Sequence, residues 1–270
     1  MIQLKTRVTE WGKVLGLSGA LALGYGAQSL AVDFNSLNPN LTPPPHDQGK
    51  DKGQDQQGQP GQDQSQRLTL TARLNPVNSR ETLSGRAAGV AVIRIHGNEI
   101  TAQIQAQGVD PSIMHMAHIH KGDHCPSQSA DDKNHDGVLD VIEGLPAYGP
   151  VLVNFGADIS SLAASAKGGA PMANAAGVVN YRGSGSYTSL VADLHNRAAM
   201  DPATGIAKLA AGERFRPEMG VIVVHGIRSS KGLPAGAQTL KGSSPQMSLP
   251  ILCGRLRVSG HGLELDTELE

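Results

Sequence analysis

Aromatic side chains are scarce in this chain: one Trp, four Tyr and three Phe among 270 residues. The single Trp, Trp11, falls near the N-terminus, so a core further along must be built from aliphatic residues with a handful of Tyr and Phe. Charge of either sign is also not in excess. The formal net charge is −1 at pH 7, and because residues 1–31 carry three bases (Lys5, Arg7, Lys13) and one acid (Glu10), the remainder stands at −3. That balance offers no basic face for nucleic acid. Beyond the N-terminus no apolar run approaches the ~20 residues of a bilayer span. Helix-forming composition is confined to Leu190–Ala211, where Pro202 and Gly205 allow only short pieces. Cysteine occurs twice, at Cys125 and Cys253.

The first 31 residues read as an export signal. A basic n-region is followed by the short apolar run Val14–Gly24 and then by small residues, with cleavage after Ala27 or after Ala31. The expected location is therefore periplasmic or extracellular. In that compartment a disulfide is the default for two cysteines, and only one pairing, Cys125–Cys253, exists; two buried free thiols are the competing reading. Residues 32–66 form a linker. Its Asn/Pro-rich start and its Gln, Gly, Asp and Lys tract bury too little apolar surface to offset the entropy of ordering. Residues 67–259 then suit one domain, with 260–270 as a tail.

Within that domain the hydrophobic period is two. Arg67–Leu74 alternates as a strand, and Gly89–His96 and Glu99–Gln105 alternate on either side of Gly97-Asn98, a hairpin spacing. Further strands are expected at Met116–His120, Gly149–Phe155, Val178–Thr188 (with a turn), Val221–His225 and Leu249–Val258. Many short strands with Gly/Pro turns and almost no helix indicate an all-β Greek-key sandwich or barrel.

Two metal-ligand patterns lie back to back between Met114 and Glu143. In His118-Ile119-His120 the two imidazoles point to the same side of a strand. Imidazole suits copper and zinc, and His225 ends the apolar run Val221–Val224, where a buried histidine needs a partner. Met114 and Met116 share the strand parity of His118 and His120; they fill space or, as thioethers, favour Cu(I). His124 and His195 are candidates for a fourth ligand. The second pattern, Asp132–Glu143, fits the twelve-residue calcium loop. Asp132, Asn134 and Asp136 stand at positions 1, 3 and 5, Gly137 at 6, the Val138 carbonyl at 7, Asp140 at 9 and Glu143 at 12. The competing reading is a solvated acidic loop. Because Pro and Gly crowd both flanks, the paired helices of a calcium sensor are not expected, and a structural calcium clip on a long loop fits better.

Three separated pieces, His118-Ile119-His120…Cys125, Val223-Val224-His225-Gly226 and Ile251-Leu252-Cys253-Gly254, resemble Cu/Zn superoxide dismutase in their order. The stretch from Leu74-Asn75-Pro76 to Ala117-His118-Ile119-His120 also looks like a CHRD domain. The likeness spans about Arg67–Val258. It implies a Greek-key β-barrel with His118, His120 and His225 as copper ligands and a Cys125–Cys253 disulfide. The family's bridging and zinc-binding histidines have no counterpart, since residues 144–194 contain no histidine, which leaves zinc of the family type without its ligands. The arginine that guides superoxide in the family corresponds to Pro250; Arg228, just beyond His225, is the substitute candidate for that catalytic role.

Three functions follow as alternatives. The first is an exported copper-dependent superoxide dismutase. The second is a non-catalytic CHRD-type binding module stabilised by calcium and a disulfide. The third is a copper carrier, whose partner is the copper ion itself.

Overall fold

The computed structural model describes residues 67–78, 87–198, 205–229 and 231–259. The expected signal, linker and tail lie outside the described residues. Strands β1 (Arg67–Pro76), β2 (Ala88–His96) and β3 (Glu99–Gln107) form an antiparallel meander. The β2–β3 hairpin turns at Gly97-Asn98 as expected, closing on the pair His96–Glu99. Buried and accessible residues alternate along both strands, which places Ala91, Ile93, Ile95, Ile100, Ala102 and Ile104 on one face.

The remaining strands are β4 (Ala117–His120), β5 (Val151–Asn154), β6 (Val178–Ser186), β7 (Val221–His225), β8 (Pro250–Arg255) and β9 (Arg257–Val258). Their order in the sheet is β5-β4-β7-β8-β1-β2-β3-β6, with β9 also on β1, and every paired strand is antiparallel. The two edges approach each other just after β5. There the Ile159 N–H donates to Ser184 of β6 at 3.0 Å, and the Ser184 N–H donates to Ala157 at 3.2 Å. The sheet therefore curls into a barrel. Around this seam β4, β5 and β6 run in sequence, and β7 returns beside β4, a Greek-key connection.

The barrel interior is mainly aliphatic, with Phe155 and Tyr181 stacked in the same buried cluster. Leu70, Leu74, Ile93, Ile100, Ile104, Ile119, Ile222 and Val224 pack there, each 0% exposed. Burial of each such side chain contributes ~1.5–3 kcal/mol.

Strands β4 and β7 are buried on both faces, which sets them apart. Ile119, Ile222 and Val224 point into the barrel, whereas Val221 and Val223 join Val141, Tyr148 and Cys253 in a second cluster on the outer side. That outer cluster is roofed by the excursion between β4 and β5. It contains α1 (Gln128–Asp131) and α2 (Val141–Tyr148) and is stapled to β8 by the Cys125–Cys253 disulfide.

The structure departs from the sequence reading at several places. A helix, α2, follows the acidic loop although Gly and Pro crowd that stretch. Asp140 caps it by accepting from the Ile142 and Glu143 N–H groups, and Glu143 returns a bond to the Asp140 N–H, so a capping box overrides the poor helix propensity of Gly144 and Pro146. A single-turn helix, α3 (Leu162–Ser165), interrupts the long small-residue excursion, capped by Ser161. Strand β6 gives way directly to α4 (Tyr187–Asn196), so the short helical piece expected from Leu190 starts already at Tyr187, where a turn was expected, with Ser186 accepting from the Ser189 N–H. Another short helix, α5 (Pro245–Ser248), precedes β8, and the expected terminal strand breaks at Leu256 into β8 and β9.

The disulfide closes a separation of 128 residues and pins the roof to the barrel. Reduction, or a Cys125→Ala/Cys253→Ala double variant, should lower unfolding stability by up to ~4–5 kcal/mol on chain-entropy grounds. Guanidinium unfolding with and without reductant measures this. An unchanged midpoint would mean that the roof holds without its staple.

Candidate metal centre

Register places the three histidines. In the β4–β7 pair Ala117 faces Val224 and His118 faces Val223, so the next pair outward is Met116 with His225, and the His225 N–H donates to the Met116 carbonyl at 2.7 Å. Directly opposed residues share a face of an antiparallel pair, and so do residues two apart. Met116, His118, His120 and His225 therefore all emerge on the outer face, beneath the roof. Register shifts between Ile119 and His120 on the β5 side and between Val224 and His225 on the β8 side interrupt the ladder beside both histidines. Bulges of this kind re-aim side chains next to functional sites.

The ring centroids lie 5.4 Å (His118–His120), 5.2 Å (His118–His225) and 5.7 Å (His120–His225) apart. One nitrogen from each ring comes within 4.8 Å of the others. The outward hydrogen bonds fix which nitrogen that is. His120 Nδ1 donates to the Gly149 carbonyl at 2.7 Å, and His225 Nδ1 donates to the Ser248 carbonyl at 2.7 Å. A carbonyl only accepts, so in each neutral ring Nε2 carries the lone pair. The His118 ring is bonded by the Asn154 side chain, whose Nδ2 donates to Ser165 Oγ at 2.9 Å. What remains is His118 Nδ1, His120 Nε2 and His225 Nε2, all buried and all without a hydrogen-bond partner. Three inward-facing lone pairs, oriented from behind by a carbonyl or an amide, are the kind of donor set that a metal ion requires. This cluster could hold a metal ion.

Electrostatics favour the same state. Burial, reinforced by the neighbouring rings, holds His118 well below the usual imidazole value. Burial and the nearby His225 lower His120 to about 3, and burial lowers His225 to about 4. All three rings are neutral at physiological pH, the form that binds metals.

Other parts of the centre were not foreseen from sequence. Tyr148, at the end of α2, packs edge-on against His120 at 4.7 Å and lies 6.2 Å from His225. Its hydroxyl donates to the Val141 carbonyl at 2.9 Å, and burial, with Asp140 nearby, pushes its phenol up. Gly149, whose carbonyl orients His120, has φ +71°, and a Cβ there would meet the Gly122 nitrogen at 2.6 Å. Only glycine fits both requirements. His115, fully buried, sets its ring between the Asp110 and His225 carbonyls at 2.9 and 3.2 Å. No spacing rule singles these residues out, because their roles come from the roof's path.

Several sequence candidates lie elsewhere. Met116 lines the pocket in front of the histidines. Met114, of the same parity, is 43% exposed and bridges to Met172 instead. His124 is exposed and pairs with Asp123 at 2.6 Å, and His195 sits in the last turn of α4; neither joins the cluster. Arg228 is exposed, donates from its guanidinium to the Pro111 carbonyl and does not line the pocket. The calcium-pattern residues Asp132, Asn134, Asp136, Val138, Asp140 and Glu143 lie apart from the histidines, in the part of the disulfide-stapled roof that runs from the end of α1 into α2.

Compared with known proteins, the chain matches no family model and no curated sequence.

The depressed histidines carry a pH signature. In the metal-free protein they are neutral in the fold and protonate near 6.5 when unfolded, so the unfolded state binds more protons below that value. Their full contribution is present above pH 6.5 and is lost as pH falls from 6.5 toward 4 and 3. Urea unfolding of chelated protein between pH 7 and about 5, above most carboxylate titration, should show stability falling by up to ~1.4 kcal/mol per pH unit per histidine. A His118→Asn/His120→Asn variant should flatten that slope; equal slopes would contradict the buried, neutral state.

Proposed function

We propose that this is an exported copper-binding protein with superoxide dismutase-like redox chemistry at His118, His120 and His225. The observation that carries the reading is the convergence of three buried, unpartnered imidazole nitrogens. Copper bound there would exchange single electrons with superoxide, alternating between its two common oxidation states. The chain's own part is to hold three neutral nitrogens without hydrogen-bonding competitors and to limit water. His120 and His225 keep their orientation through the Gly149 and Ser248 carbonyls, so the lone pairs stay aimed inward without rearrangement. Leu145, Tyr148, Leu162, Ile206 and Leu240 make the pocket walls largely apolar. Export agrees with the Cys125–Cys253 disulfide and with the lack, among the described residues, of any helix long and apolar enough to cross a membrane.

Copper carriage is the second reading, and the pocket wall favours it on one point. Met116 presents a thioether beside the histidines, while among the described residues no Lys or Arg lines the pocket to draw in an anion. Soft sulfur favours Cu(I), and a site without a guiding cation loses the electrostatic gain in encounter rate.

Superoxide dismutation by the copper-loaded full chain, beside a His225→Ala variant, separates these readings. Activity above that of free copper and lost in the variant is the outcome expected of the enzyme. Stoichiometric copper binding without turnover, also lost in the variant, points to carriage. Neither activity nor binding would sink both.

A further inference from the structure

We infer that the loop from Asp132 to Glu143 is a second metal site, built for a hard divalent cation of the calcium type and clamping the segments that orient the histidines. The spacing of oxygen donors raises the idea, but two orphaned atoms carry it. Asp132 is 7% exposed; its Oδ2 accepts from the Gly137 N–H at 3.0 Å, while its Oδ1 is buried with no partner. Asp136 repeats the pattern: Oδ1 accepts from the Val138 N–H at 3.0 Å, and Oδ2 is buried and unpartnered. Sealing two carboxylate oxygens from water within one five-residue turn costs free energy that nothing among the described residues offsets. A cation offsets it.

The backbone is already wound for such an ion. Gly137 has φ +87° at the sharp turn, and Asn134 Oδ1 accepts from the Asp136 N–H at 2.9 Å. Glu143 joins the two ends of the loop, accepting from the Lys133 and Asn134 N–H groups on one oxygen and from the Asp140 N–H on the other. Carboxylate and amide oxygens select hard cations such as Ca²⁺, whereas the three imidazoles select transition metals. The two sites therefore differ in chemistry as well as in place.

The loop also grips both carbonyls behind the histidines. Its position-9 residue, Asp140, caps α2, which ends in Tyr148 against His120 and is followed by Gly149. The other Asp140 oxygen accepts from the Gln238 N–H at 2.7 Å, and Gly236 passes the loop close to Asp136. That segment continues through turns into α5 and ends at Ser248, the partner of His225. Asn78 completes the grip by bonding both backbone groups of Leu139 and the Pro250 carbonyl. The effect on the histidines rests on the metal-centre reading above; the loop site does not.

Calcium titration of the chelated full chain, by calorimetry and by melting temperature, tests the site. Titration should extend to about 10 mM, since extracellular modules bind calcium as weakly as about 1 mM. One equivalent should bind and raise the melting temperature, and magnesium should do less. Asp132→Asn removes the orphaned charge while keeping an oxygen for the Gly137 N–H. It should weaken calcium binding at least about tenfold, yet leave the calcium-free melting temperature equal or higher, whereas a purely structural aspartate would lower it. A His225→Ala chain should bind calcium as the parent does, so failure of the histidine reading stays distinguishable. Absence of binding heat and of any thermal shift in the parent would overturn the proposal.

Discussion

Two-sided burial of the β4–β7 pair is the constraint from which the rest follows. One face of these strands must fill an aliphatic barrel, and the other must be covered by chain that is not sheet. A covering layer of irregular backbone brings carbonyl groups into a dry space, where each needs a donor. Histidine answers that need well, since one ring nitrogen donates to a carbonyl while the other remains a lone pair. Gly149 and Ser248 are satisfied in this way by His120 and His225. The same bonds that complete the roof's hydrogen bonding leave the inward nitrogens free.

The roof is held at several polar points in addition to the apolar packing of Val141 and Tyr148 on Val221 and Val223. The Cys125–Cys253 bridge fixes one end, Asn78 ties Leu139 to Pro250, and Asp140 both caps α2 and receives the Gln238 N–H. Such polar anchoring suits a layer that must be positioned to a fraction of an ångström over a ligand set. A purely apolar roof could slide with little penalty, whereas directional bonds to buried groups cannot be broken without leaving unsatisfied atoms.

Much of this was legible in the sequence because period-two patterns report strands directly. The β2–β3 hairpin and Val221–His225 appear where alternation and β-branching put them. The same-face geometry of His118 and His120 follows from spacing alone. Convergence with His225 needs the β4–β7 register, which one sequence does not contain; it was reached through motif order and resemblance. Helices α2 and α3 were missed because their causes are local hydrogen bonds, the Asp140–Glu143 capping box and the Ser161 cap, that outweigh residue propensity, whereas the helical composition from Leu190 onward did signal α4. Gly149, Tyr148 and His115 were missed for another reason. Their importance is conferred by distant partners, and nothing in their own neighbourhoods announces it. Arg228 was proposed by nearness to His225 in sequence, yet its guanidinium turns to Pro111.

A metal ion held by this protein should be shared by His118 Nδ1, His120 Nε2 and His225 Nε2. X-ray absorption at the copper edge of the stoichiometrically loaded protein measures this without reference to activity. Three imidazole scatterers at about 2.0 Å, falling to two in a His225→Ala variant, is the expected result. A first shell dominated by solvent oxygen, with fewer than three imidazoles and no change in the variant, would contradict it.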